Sequence, residues 1–197
     1  MFGFKNKKMI ISFCGDNGSG KSTTAIKVAD ALGYKHYHMG QVLRDMAKER
    51  NITLEELNEL RNEDPNFDKA VDDFLIKLGK ESDNFVIESR TAWHFLPNSL
   101  KIYLKVEEKE AAKRVFLELQ GENKRNEGQN LDSEEKVLKS IIARGKNDNK
   151  IYMDLYGIDI RDEKHFDFVL DTTRLSIEEV FEKVMEFINS KVWALGE

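Results

Sequence analysis

The stretch that decides the fold is Met9 to Leu32, "MIISFCGDNGSGKSTTAIKVADAL". A short apolar run leads into Gly15-Asp16-Asn17-Gly18-Ser19-Gly20-Lys21-Ser22-Thr23, after which apolar residues recur every three or four positions. That change of period reads as strand, turn and helix, and the spacing Gly-x-x-x-x-Gly-Lys-Ser predicts a phosphate cradle. The glycines let the backbone curl until successive N–H groups face phosphate oxygens, and the positive end of the helix adds to the attraction. Lys21 supplies a point charge to the terminal phosphates and Ser22 a hydroxyl ligand for Mg²⁺. The motif specifies a nucleoside triphosphate but not the group that receives its phosphate.

Outward from this unit, strand-like runs at Lys8–Cys14, Tyr34–His38, Asn84–Ser89, Leu100–Val106 and Phe166–Asp171 alternate with helical patterns. The patterns cover Ser22–Leu32, Val42–Arg50, Ala70–Leu78, Ala111–Leu119 and Ile177–Ile188. This alternation predicts an α/β fold, a five-stranded parallel sheet flanked by helices. Ser176 followed by Glu179 reads as a capping box opening the last helix, which should pack on the sheet through Val180, Val184 and Phe187. From Gln120 to Asn130 there is no apolar residue, so that segment is expected to be a solvated loop or hinge.

Composition narrows the class. At 197 residues the chain suits one domain with mobile appendages, and 40% hydrophobic with 34% charged residues is a globular balance. A net charge of −5 gives no reason to expect a nucleic-acid polymer as partner. Cys14 is the single cysteine, expected to be a buried, inert thiol, and a cytoplasmic setting is expected. No apolar stretch reaches the ~20 residues of a membrane span, and the first residues, "MFGFKNKKMIISF", lack a signal peptide's cleavage site.

A second anion site is suggested by Arg44 and Arg90, each following a predicted strand at the edge where α/β sheets bind ligands. A guanidinium fork suits a phosphate, so the pair makes sense if the acceptor carries one; surface ion pairs with Asp45 or Glu49 are the alternative. Glu88 ends the run "NFVIE", where it can order Mg²⁺ or contact the acceptor, or stand as a plain strand-end carboxylate. Trp93 lies either beside the acceptor's base or in the core. Asp68 and Asp72 either accept from an exocyclic amine or belong to a solvated helix face. His36, His38, His94 and His165 lack metal-ligand spacing and default to packing or hydrogen bonding.

With these residues in place the chain resembles the nucleoside monophosphate kinases, and among them the archaeal-type cytidylate kinases. The likeness runs through "GDNGSGKST", "YHMGQVLRDMAKERNITLEELN", "EDPNFDKAVDDF", "NFVIESRTAWHFLPNSLKIYLKV" and "YGIDIRDEKHFDFVLDTT". The resemblance implies transfer of the ATP γ-phosphate to CMP or dCMP, with Arg44 and Arg90 on the acceptor phosphate. It implies one kinase domain over 1–197, with a core at 8–38, 83–106 and 160–197, an acceptor-binding arm at 39–82 and a lid at 107–152. It also places Thr172 and Thr173 beside the adenine, and Arg144 and Lys150 on the transferring phosphate from the lid. Gln41 stands where the family often has Asp, and Lys150 where it tends to have Arg. Kinases for other small acceptors, or a nucleotide-dependent binding module with little turnover, are the competing readings; a monomer is the simplest assembly.

Overall fold

The computed structural model describes residues 9–63, 66–121 and 131–194, without the side chains at 55, 58, 61–63, 66–68, 70, 71 and 192–194. Five strands, β1 (Ile10–Gly15), β2 (Lys35–His38), β3 (Phe85–Glu88), β4 (Leu100–Lys105) and β5 (Phe168–Asp171), form one sheet in the order β2-β3-β1-β4-β5. Every neighbouring pair is parallel. The chain leaves β1 toward β2 but leaves the adjacent β4 toward β5, so the connections from these two strands run in opposite directions and open a crevice at the carboxyl ends.

The helices cover both faces, as an all-parallel sheet requires. On one side α1 (Lys21–Leu32) and α8 (Ile177–Ala194) bury Ala25, Val28, Val180, Val184 and Ile188 against Ile11, Phe13 and Leu104. Ser176 and Glu179 exchange hydrogen bonds at 2.8 and 3.2 Å, the capping box read from the sequence. Phe187 stacks on Phe168 with ring centroids 4.6 Å apart. On the other side α4 (Asn66–Glu81) and the short α5 (Ala92–Phe95) pack Leu75, Leu78, Ala92 and Leu96 on Phe85 and Ile87.

Residues expected to form one arm helix at Ala70–Leu78 instead belong to a longer one, and α2 (Met39–Glu49) and α3 (Leu54–Glu63) precede it. The polar α3 escaped the periodicity reading because few of its residues are apolar. It is held by a capping box between Thr53 and Glu56 and by burial of Leu54 and Leu57 on Ala47. Beyond β4, α6 (Glu108–Leu119) and α7 (Glu134–Tyr156) pack together through Ala112, Val115 and Val137. The expected loop over Gln120–Asn130 falls, at 122–130, outside the described residues. Strand β5 begins two residues later than expected because Asp167 turns its carboxylate to the Lys101 N–H at 2.8 Å, while Phe166 packs on Tyr103. Cys14 is buried as expected, and burial pushes its thiol above the ordinary range. Among the described residues no helix is long and apolar enough to cross a membrane.

Asp72 is not on a solvated face. It is 2% exposed and accepts hydrogen bonds from the Thr91 hydroxyl at 2.7 Å and the Tyr156 hydroxyl at 2.8 Å. The carboxylate thereby ties α4 to the segment after β3 and to the end of α7. Asp72→Ala strips an acceptor from two hydroxyls and should cost about 2 kcal/mol, a fall in Tm of roughly 4–8 °C. Asp72→Asn, which keeps one acceptor oxygen, should fall by less; thermal denaturation of the two variants checks the order.

Candidate active site

The crevice is a cavity of about 700 Å³ that brings together the loop at 17–20 and the first turn of α1, α2, the end of β3 and residues of α6 and α7. The loop is seated by close approach of backbones. Gly15 sits at φ +141°, and a Cβ there would lie 2.1 Å from the Leu104 carbonyl oxygen of β4, so only glycine fits. Asp16 follows by donating its N–H to that same carbonyl at 3.0 Å, while its carboxylate accepts from the Tyr103 hydroxyl at 3.1 Å and the Val106 N–H at 3.2 Å. Its side chain therefore anchors the loop to β4 and is not among the residues lining the cavity. The Ser19 hydroxyl turns inward to the Asp16 carbonyl at 2.9 Å, and Lys21 Nζ reaches back across the loop to the same oxygen at 2.7 Å.

Glu88 lies at the cavity floor, 2% exposed. The Ser22 hydroxyl donates to its Oε2 at 2.6 Å, His36 Nε2 lies 2.7 Å from Oε1, and His38 Nε2 lies 3.8 Å from Oε2. Burial works against the charge of this carboxylate, but the His36 hydrogen bond, the neighbouring His38, the Ser22 hydroxyl and Lys21 together hold it below its usual range. Glu88 is thus an anion. Burial, with Arg44, His36 and Lys21 nearby, pushes His38 down to about 4 against the pull of Glu88, so this ring is neutral near pH 7. These residues fit Mg²⁺: the Ser22 hydroxyl spends its proton on Glu88, which leaves its oxygen lone pairs for a hard cation, with an anionic carboxylate behind it.

Arg44 lines the cavity beside Gly40 and His38. Gly40 lets the two approach, for a Cβ there would stand 3.0 Å from His38 Nε2 and 3.7 Å from the Arg44 guanidinium. Asp45 is engaged by the Gln41 amide at 2.9 Å. Arg90 lies between the loop and α7: Nη1 donates to the Gly15 carbonyl at 2.5 Å, Nη2 to Asn17 Oδ1 at 3.0 Å, and Nε faces Asp148 Oδ2 at 3.2 Å. The ion pair that sequence reasoning sought near α2 is made for Arg90 by α7. Burial disfavours the guanidinium charge, but Asp148, together with Cys14, Tyr103 and Asp16, more than restores it.

Helix α7 presents Arg144, Asp148 and Tyr152 to the cavity, residues four apart and so on one face. Lys150 is two residues beyond Asp148, about 200° around the helix. Its side chain is 72% exposed and lies 3.5 Å from Asp154, so the structure does not bring it to the site. Trp93 is likewise elsewhere: 6% exposed, it donates Nε1–H to the Arg90 carbonyl at 3.0 Å and stacks on His165 at 4.5 Å, which is the core alternative. The side chain of Asp68 lies outside the described residues.

Thr172 is fully buried, with its hydroxyl 3.1 Å from the Ser19 and Lys105 carbonyls, and Thr173 bonds Asp171 at 2.6 Å; both shape the turn rather than project into the cavity. Arg114 of α6, which sequence reasoning missed, donates to the Thr172 and Thr173 carbonyls at 2.9 and 3.2 Å and to Glu110 at 2.9 Å, and lines the cavity. Its place in a charged helix resembled a solvated face. Asp148 was missed for a similar reason, and the hydrogen bonding expected of His36 had no partner assigned, since the partners are 58 and 52 residues away in the chain.

Known proteins resemble this chain in sequence and in fold. A family described as "Cytidylate kinase-like family" matches residues 10–174. A curated cytidylate kinase of Pyrococcus furiosus is 38% identical over 88% of this chain and 84% of its own length. One from Sulfolobus acidocaldarius is 34% identical over 93% and 95%. In three dimensions a shikimate kinase from Bacteroides thetaiotaomicron superposes with a TM-score of 0.61 over 93% of this chain and 99% of its own, at 16% identity, a likeness of fold. With the family match spanning most of the chain and curated relatives above 30% identity, this chain belongs to the cytidylate kinase-like family.

Proposed function

We propose that the chain transfers the γ-phosphoryl group of ATP to CMP or dCMP, as a cytoplasmic monomer whose partners are small molecules. The observation that carries the reading is the meeting in one cavity of a phosphate loop, an anionic Glu88 behind Ser22, and the separate cations Arg44, Arg90 and Arg144. A triphosphate alone would not require the second set. The names of the curated relatives supply the base of the acceptor.

In the reaction an acceptor phosphate oxygen bonds to the γ-phosphorus as the bond to the bridging β-oxygen breaks, and ADP leaves with the electron pair. Catalysis of this step is positioning and charge neutralisation. The loop and Lys21 hold the β- and γ-phosphates, Arg44 and Arg90 the acceptor phosphate, and Arg144 the charge spread over the transferring group. Ser22 and Glu88 are the residues that would hold Mg²⁺, which would supply positive charge to offset that of the ATP phosphates. The turn at Thr172–Thr173, braced by Arg114, forms the wall of the donor base site. Residues 39–82 act as the acceptor arm and 107–152 as a lid whose closure excludes water from the transferring phosphate.

A coupled ADP-release assay across the common nucleoside monophosphates tests the reading: CMP and dCMP should stimulate ADP formation most, and unphosphorylated cytidine should be poor. Tight ATP binding with no monophosphate stimulating turnover would make the chain a binding module. Lys21→Ala should reduce kcat by roughly 100-fold or more, the cost of losing one preorganised charge contact. The two lid cations separate cleanly: Arg144→Ala should depress kcat at least about 10-fold with ATP affinity within a few-fold, whereas Lys150→Ala should stay within about 2-fold of wild type, since its helix face points away. Single-turnover transfer beside ATP titration reads both.

A further inference from the structure

The two histidines of β2 have no place in the mechanism above, yet the sheet brings both to its metal-ordering carboxylate. They stand two residues apart on one face of an edge strand, and the parallel register sets His38 beside Glu88. His38 borders the cavity, but its ring nitrogen stays 3.8 Å from the carboxylate. His36 is not among the residues lining the cavity, and makes the short contact, 2.7 Å to Oε1. An ionised carboxylate can only accept, so His36 carries its proton on Nε2 and donates.

Consider what each hydrogen bond does alone. The terminal torsion of a glutamate is broad, so a carboxylate tethered only through Oε2 to Ser22 can pivot about that bond. A second donor on Oε1, supplied from a different strand, removes the pivot. With the carboxylate plane fixed, the Ser22 hydroxyl proton has one place to go, and the lone pairs of its oxygen have one direction to face. We propose that His36 is a positioning residue for the metal–nucleotide complex: it locks the rotation of Glu88 and thereby aims the Ser22 oxygen at Mg²⁺. The inference rests on the Mg·ATP reading of the loop and deepens it by naming a residue that touches neither metal nor nucleotide.

The experiment measures binding of a non-hydrolysable ATP analogue to the full chain by calorimetry, once with Mg²⁺ and once with EDTA. His36→Leu removes the donor at similar bulk; the Mg²⁺-dependent gain in affinity should shrink about 10-fold or more, the usual cost of losing a partner that orients a metal ligand, while affinity in EDTA stays within about 2-fold. His36→Gln, whose amide N–H can take the place of the imidazole N–H, should recover most of the gain. In turnover His36→Leu should lower kcat and leave the KM for CMP within about 2-fold. An unchanged Mg²⁺-dependent gain, an equal loss in EDTA, or no recovery with Gln would each overturn the proposal. If His36→Leu does not fold, His36→Asn, whose shorter amide cannot reach Glu88, replaces it against His36→Gln with the same criteria. Because the calorimetry contains no acceptor, an error in the CMP assignment would appear separately, as wild-type enzyme that does not turn over with CMP.

Discussion

Lys21, Arg44, Arg90, Arg114 and Arg144 all border one cavity, and the mutual repulsion of these cations is the constraint that shapes everything around them. Two like charges ~5 Å apart at an effective dielectric of about 20 repel by roughly 3 kcal/mol. The fold meets this cost with built-in anions and oxygen dipoles. Lys21 and Arg90 take carbonyls of the phosphate loop itself, Arg90 takes Asp148 as well, and Arg114 takes the carbonyls of the turn after β5. Each contact sets a cation in position and moderates its charge. A site organised in this way meets a developing phosphoryl charge with little rearrangement.

The same contacts join parts of the chain that share little core. Asp148 links α7 to the loop through Arg90, and Asp72 links α4 to α7 through Tyr156. Helices α2 and α3, and α6 and α7, also pack in apolar clusters of their own that hold no strand residue, whereas α4 packs directly on Phe85 and Ile87 of the sheet. Hydrogen bonds of this kind can exchange partners with a bound phosphate, whereas a packed apolar face cannot give way without losing burial.

Glu88 shows how one buried charge is tolerated. Burial works against its charge, yet two hydrogen-bond donors, His36 and Ser22, with His38 and Lys21 nearby, keep it ionised at the end of β3. Its two histidine neighbours come from the adjoining strand, which means that the identity of an edge strand bears on the chemistry at the centre of the sheet.

The sequence by itself determined what depends on local spacing. The phosphate loop, the alternation of strands and helices, the Ser176–Glu179 capping box and the core face of α8 are set by residues within one or two turns of each other, and all appear in the structure. The resemblance carried further, to the family itself, because ordered motifs over most of the chain specify a fold even when single contacts are invisible. Tertiary structure alone decided which charges meet. Lys150 and Asp148 lie two residues apart, but the turn of the helix sends one to solvent and the other to Arg90. Asp16 sits inside the cradle motif yet turns its carboxylate to β4, and Trp93 follows Arg90 yet faces the core. The partners of His36 and Arg114 gave no signal in one dimension, since a side chain's electrostatic role is set by what the fold places within about 4 Å of it, and that distance is not encoded in the spacing of residues along the chain.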